Sequence, residues 1–567
     1  MNRHIHITSC PPVPPRAGRW SRAVVLSVVV GLVGVCASVS DAAATKGQGK
    51  QGTATKVMID CGAARKPINP MIYGIGFNAI GEQRDTQQWS IGATARRWGG
   101  NPTSRYNWEA NAWNTALDYF WRNVSVLDGA TPAWKQFLDA NRDHQVLSAL
   151  SVPTIGWVAK DTSSYSFPVK SFGPQQQNDP DITDAGNGRN PGGKELTPSP
   201  PDQTSVRSTS ESVGRWLSTA ARADTPTSRA VDLVYLDNEP DLWNETHRDV
   251  HPEPAGYDEL LQRSIEYGSA VRAATPAVKI AGPSSWGWWG YFYSAKDAKA
   301  GFSAKPDRRA HGDTPFLQWY LRQLRSYEQR TGIRVLDDLD VHFYPQGANL
   351  YGGGGATDPK TAALRIRSTR ALWDSTYTDE SWIGEPVRLL PRLQELINQE
   401  YPGLGISIGE YNFGGDEHIS GAIAQAEALG RFGQAGVAAA YLWTYPALRS
   451  AQYWGFRAFR NFDGRGGHFL DQSVRAQSDR DVSAFASTDA ATSQVVAVLI
   501  NQSASTVAST SVSLASCGPV TRAQQWSYTG GENGFTTGPA VAVVKGSITS
   551  TLAPWSVNVV RFERGTK

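Results

Sequence analysis

Eight short strand-like runs, most of them continuous in apolar residues and not alternating, limit this chain's fold more than any other feature. They lie at residues 72–77, 94–98, 145–152, 231–236, 278–282, 339–344, 405–409 and 437–442. A run of Val, Ile, Leu or Ala with no polar side suits a strand covered on both faces, as in a parallel sheet. Parallel neighbours need crossovers, and helix-like stretches fall between the runs, among them 212–222, 257–274, 315–330 and 420–432. Eightfold alternation predicts an α/β fold, a closed (β/α)8 TIM barrel over residues 71–470.

From residue 471 to 567 the texture changes to short strand-like pieces with turns between them, at 495–500, 510–514, 523–528, 541–544 and 556–562. This predicts a β-sandwich, with residues 56–70 before the barrel contributing a strand to it. Residues 161–211, rich in Pro, Gly, Ser, Asn and Asp, are expected as a long loop rimming a cleft.

The N-terminus has the make-up of a secretion signal. Arginines at 3, 16, 19 and 22 precede an apolar run over 23–39 with small residues after it, giving a signal over 1–42 and a flexible leader over 43–55. Those four arginines and Asp41 account for the whole formal charge of +3. A neutral remainder offers no electrostatic case for nucleic acid, and no stable membrane association is expected. Beyond the signal only Cys61 and Cys517 remain, free to pair in an oxidising compartment, and no Cys/His spacing marks a zinc site.

A barrel of this kind carries its chemistry at the C-terminal ends of its strands. Reading those ends gives Asn78, then Gly99–Asn101, Pro153–Trp157, Asn238 and Glu239, Ser284–Trp289, His342 and Tyr344, Glu410 with Tyr411, and Trp443 with Tyr445. Glu239 and Glu410 are the two carboxylates in the set. Glu239, in YLDNEP, is either a hydrogen-bonded turn carboxylate or a group presented to a substrate. Glu410 follows the apolar run ISIG, where a charge is costly without polar surroundings. Two carboxylates amid amides and tryptophans suit glycoside hydrolysis, in which an acid protonates the leaving oxygen and a second carboxylate acts as nucleophile or base. Asn238 is then a candidate partner for a sugar hydroxyl, and Arg97 a charge partner. Tyr344 or Tyr411 would keep the nucleophile ionised. Acidic and His residues at 241, 245, 247, 251 and 253 read as a solvated loop in preference to a metal site. Five glycines over 347–355 read as a mobile segment.

Four stretches, RRWGGNPTSRYNW (96–108), YLDNEPDLW (235–243), GEYNFGGDEHISGAIAQAEALGRFG (409–433) and FRNFDGRGGHFLD (459–471), make the chain closely resemble glycoside hydrolase family 44. The resemblance spans roughly residues 56–567. It implies a (β/α)8 barrel with a β-sandwich, and endo-acting, retaining cleavage of β-1,4-glucans or xyloglucan. Glu239 would be the acid/base and Glu410 the nucleophile. Arg97, Trp98, Asn101, Trp108, Trp157, Asn238, Trp286, Trp288, His342, Tyr344, Tyr411 and Trp443 would support or bind the polysaccharide substrate. Gly409 departs from the family pattern, which has threonine before the nucleophile. No cofactor is required, a structural calcium is allowed at no specified loop, and a secreted, extracellular monomer is expected. The alternatives are the same mechanism on xylan, mannan or mixed-linkage glucan, or an inactive glycan-binding barrel.

Overall fold

The computed structural model describes residues 54–63, 65–77, 87–127, 129–225, 228–351, 357–443, 446–489 and 494–564. The predicted signal and nearly all of the leader lie outside them, as do Asn78, Tyr445 and part of the glycine-rich segment.

Eight parallel strands close into a barrel in chain order. They are Gly74–Gly76, Ala95–Trp98, Leu147–Val152, Leu233–Leu236, Lys279–Ser285, Asp338–Phe343, Gly405–Tyr411 and Ala439–Leu442. The last pairs with the first, Tyr441 beside Gly74. Alternate residues fill the interior, where Ala95, Ala149, Leu233, Tyr235, Ala281, Ala439 and Tyr441 form one cluster. The residues between them, such as Leu339, Val341 and Phe343, pack outward against the helices. Both faces are covered, which is why these strands read as unbroken apolar runs.

The helices fall where the pattern placed them: Ser210–Ala220, Tyr257–Ala274, Phe316–Thr331 and Ile419–Ala435. The first begins where the Thr209 side chain accepts from the Ser212 amide, the ordinary way to satisfy an orphan donor. No helix among the described residues is long and apolar enough to cross a membrane.

Thr55–Asp60 joins the C-terminal part, pairing antiparallel with Gln472–Ser478 and parallel with Ala508–Ala515. The resulting curled sheet also contains Val482–Thr488, Gln494–Asn501, Val520–Tyr528, Ser547–Leu552 and Ser556–Arg564. Three of its strands, at Gln472–Ser478, Val482–Thr488 and Ser547–Leu552, were not predicted. QSVRAQS and SITSTL carry exposed polar residues, and VSAFAST, though nearly all buried, mixes Ser, Ala and Thr and lacks the apolar density of the others. The piece predicted over 541–544 shrinks to Val541–Ala542. Cys61 and Cys517 form a disulfide.

The long segment after the third barrel strand is folded down in several places. Ser205–Arg207 pairs with Trp157–Ala159, Phe167 and Asp179 are buried, and Arg122 bonds Asp179. The loop after Pro240, expected to be solvated, is so only in part: Glu253 is exposed, but Asp241 and His247 are buried, and His251 meets Glu259 at 2.9 Å.

Candidate active site

The seventh barrel strand carries one residue more than its neighbour. Val341 pairs with Ile408 and His342 with Glu410, so Gly409 is a bulge. A bulge reverses the in–out alternation beyond it. Ile406 and Ile408 face the helices before it and Tyr411 faces them after it, while Ser407 and Glu410 point inward. Glycine fits the bulge because a Cβ there would lie 2.7 Å from a carboxylate oxygen of Asp340. The position where the family pattern has threonine is thus filled by a neighbouring acid.

Glu410 is 4 % exposed and held from three sides. Arg97 Nη1 donates to its Oε1 at 2.7 Å, Tyr344 donates its hydroxyl to Oε2 at 2.8 Å, and His342 Nδ1 lies 3.5 Å from Oε2. Arg97 is fully buried. Burial works against its charge, but the carboxylates of Glu410 and Asp340 outweigh it and keep the guanidinium protonated. Arg97 Nη2 also donates to Asn238 Oδ1 at 3.0 Å, and the Gly100 amide to the same oxygen at 3.2 Å. The two glycines after the second strand make this possible. A Cβ on Gly99 would meet the Arg97 guanidinium, and Gly100, at φ 88°, passes under the Trp443 ring.

Glu239 ends the fourth strand in the left-handed region, at φ 44°, a conformation that costs about 1–3 kcal/mol and clusters at functional sites. Its Oε1 is 2.9 Å from His342 Nδ1. Burial pushes its carboxyl up to about 7, against the pull of Arg97. Burial also holds the His342 imidazole below its usual pKa, so it is neutral near pH 7. The two glutamates therefore differ in setting: one desolvated and raised toward neutrality beside a neutral imidazole, the other ion-paired and hydrogen-bonded. Separation of that kind assigns acid and base roles to like groups.

Asp237, just before, fastens the surrounding loops. Its buried carboxylate accepts from the Ser104 hydroxyl, the amides of Thr154, Ile155 and Asn238, and the Trp243 indole. Two acids that sequence reasoning passed over belong to the site. Asp340 lies inside the barrel two residues before His342, and burial raises its pKa. A polar pair at i and i+2 in a buried strand was the available signal. Asp118, from the loop after the second strand, accepts from Asn101 Nδ2 at 3.2 Å with both oxygens, and nothing in its local sequence marks it.

The other predicted residues divide. Asn101, Asn238, His342 and Tyr344 join the two glutamates, and Trp443 adjoins them over Gly76 and Gly100. Trp98 and Tyr411 do not join. Trp98 is fully buried outside the barrel, stacked on Phe77 at 4.7 Å, and Tyr411 accepts from Gln425 within the helix layer. Strand alternation turns both away. Trp108 bonds Ser212, and Trp157 lies under Arg207 at 3.9 Å. Trp286 is nearly buried against Trp289, and Trp288 rests on Phe292.

Glu239, His342 and Glu410 bring one ligand atom each within 4.8 Å of one another. An imidazole with two carboxylates suits a borderline metal such as zinc, not the six to eight oxygens that calcium takes. No other cluster of three such side chains occurs among the described residues.

A family model for glycoside hydrolase family 44 matches residues 112–347. Endoglucanase A of Paenibacillus lautus is 30 % identical over 484 residues, 78 % of this chain and 63 % of that protein. The chain thus spans less than two thirds of that relative. CelM2, a bifunctional glucanase-xylanase from a metagenome library, has a crystal structure that superposes with a TM-score of 0.84 at 32 % identity, covering 91 % of this chain and all of that one. A Paenibacillus polymyxa xyloglucanase solved with xyloglucan aligns at TM-score 0.74 and 25 % identity, over 90 % of this chain and all of that one. With this barrel, this pair of glutamates and these relatives, the chain belongs to glycoside hydrolase family 44.

Proposed function

We propose that this protein is a secreted, monomeric, endo-acting hydrolase that cleaves β-1,4-glucans, cellulose-type or xyloglucan, with retention of configuration. The observation that carries the reading is the carboxylate pair: ligand oxygens of Glu239 and Glu410 within 4.8 Å. Retaining sites hold their carboxyls about 5–5.5 Å apart, whereas inverting sites leave about 6.5–9.5 Å for a water.

Glu410, paired with Arg97 and oriented by the Tyr344 hydroxyl, attacks the anomeric carbon. Glu239, whose carboxyl burial pushes up to about 7 so that a large share keeps its proton near neutral pH, gives that proton to the departing glycosidic oxygen. In the second half Glu239, now a carboxylate, takes a proton from water, which attacks the same carbon and frees Glu410. His342, neutral and within hydrogen-bond reach of Glu239, orients that carboxyl without adding charge. Asn238, fixed by Arg97 and Gly100, gives one amide hydrogen to Asn101 and has the second to offer the sugar.

The glucanase, xyloglucanase and endoglucanase activities named for the relatives support the substrate class. The xylanase activity named for CelM2 favours a second reading, the same chemistry on xylan. Release of reducing ends from carboxymethyl cellulose, xyloglucan, lichenan, xylan and mannan separates these, and release from none of them refutes both. Glu410→Gly is expected to abolish cleavage, and azide to restore turnover with an inverted product. Undiminished hydrolysis by that variant rules out the nucleophile assignment.

A further inference from the structure

A third carboxylate stands near the same pair, and no step above uses it. Asp118 lies in the helical turn Ala116–Tyr119, carried by a ribbon of Ala112–Asn114 and Asn123–Ser125. The residue is open to solvent. Even so, the surrounding protein desolvates its carboxyl enough to push it up to about 6, and the charges of Glu239 and Glu410 add to the rise.

Hydrogen bonds tie it to the reacting groups. Asn101 Nδ2 donates to both Asp118 oxygens, Asn238 Nδ2 donates to Asn101 Oδ1 at 3.2 Å, and Arg97 links Asn238 to Glu410. An ionised carboxylate has about four lone-pair sites, and Asn101 occupies two of them. The backbone holding Asp118 is under strain. Ala116, Phe120 and Trp121 all adopt positive φ, at 53°, 57° and 45°, each at a cost of about 1–3 kcal/mol. Asn114 stabilises this turn by accepting from the Ala116 amide and donating to the Trp121 carbonyl, each at 2.9 Å. Trp121 is buried, with the Arg248 guanidinium 4.7 Å from its ring. A turn held against its own preference presents its side chain with little freedom to move.

We infer that Asp118 is a substrate-binding residue, whose remaining lone pairs accept hydrogen bonds from an equatorial hydroxyl pair on a glucosyl unit beside the scissile bond. The inference rests on the glucan-hydrolase reading above. A strut that merely holds Asn101 is the competing role. Calorimetry of cellohexaose on a Glu410→Gln parent, with and without Asp118→Asn or Asp118→Ala, separates them, because the asparagine keeps an acceptor for Asn101. Both substitutions are expected to weaken binding about 10-fold or more, the loss of a charged hydrogen bond, with the melting temperature unchanged. In the otherwise native enzyme each is expected to raise KM and leave kcat near its original value. Parent-like binding by Asp118→Asn, whatever the alanine variant does, overturns the inference. A parent that binds no cellohexaose overturns the glucan reading and this one with it.

Discussion

Glu239 links the chemistry of one residue to the stability of the whole molecule. Its carboxyl is about 7 when folded against an ordinary 4.5, so the folded state holds the proton more tightly than the unfolded chain. Its contribution to stability is present at low pH and is lost as pH rises from 4.5 through 7. We expect kcat/KM to fall as pH rises through about 7, where the acid ionises, and Glu239→Gln to melt higher than the native protein at pH 8 but not at pH 4. A flat alkaline limb, or equal melting at both pH values, refutes this. Glu239, Glu410 and Asn238 were legible one by one, because each is a polar residue closing an apolar run, and Arg97 because it is a charge inside one. Trp98 and Tyr411 were misread because proximity in sequence to a functional residue says nothing about which side of a strand faces in. Asp118 was invisible, since only folding brings residue 118 to residues 101 and 238.

At the scale of the element, helix Ile419–Ala435 shows how a local pattern can report its own environment. It is buried along nearly its whole length, with Gln425 bonded to barrel Tyr411 and Gln502 of the small domain bonded to Glu427. Its Ala- and Gly-rich sequence allows that close approach. At Gly430 a Cβ would lie 2.4 Å from the Phe485 ring. We expect Gly430→Val to destabilise the protein by about 1–3 kcal/mol through overpacking, read as a lower denaturation midpoint, whereas exposed Gly403→Ala on the barrel surface, at φ 94°, tests a strain effect alone. No loss of stability in Gly430→Val would mean that the two layers do not pack as described. Among strands, barrel members were legible because burial on both faces makes most of their residues apolar. The sandwich strands Gln472–Ser478 and Ser547–Leu552 were not, because one solvated face dilutes the signal with Ser, Thr and Gln.

Across the whole molecule, Cys61 and Cys517 join the strand that precedes the barrel to the domain that follows it, 456 residues later. Cross-linking so long a loop restricts the unfolded chain strongly, and loss of a native disulfide typically costs about 2–5 kcal/mol. We expect Cys61→Ala with Cys517→Ala to lower the midpoint of unfolding while leaving kcat at 25 °C unaltered. An unchanged midpoint would show that the bond contributes nothing to stability. The sequence by itself determined the barrel, the added β domain, most helix positions and the two glutamates. Those follow from periodicity and from the cost of ending a buried run in charge. Only the tertiary structure decided which tryptophans stay out of the core, that a bulge at Gly409 turns Glu410 inward, and that Asp118 and Asp340 join His342 around the glutamate pair. Each of these depends on residues distant in the chain meeting in one desolvated place, where burial and neighbouring charge set pKa values that no local pattern encodes.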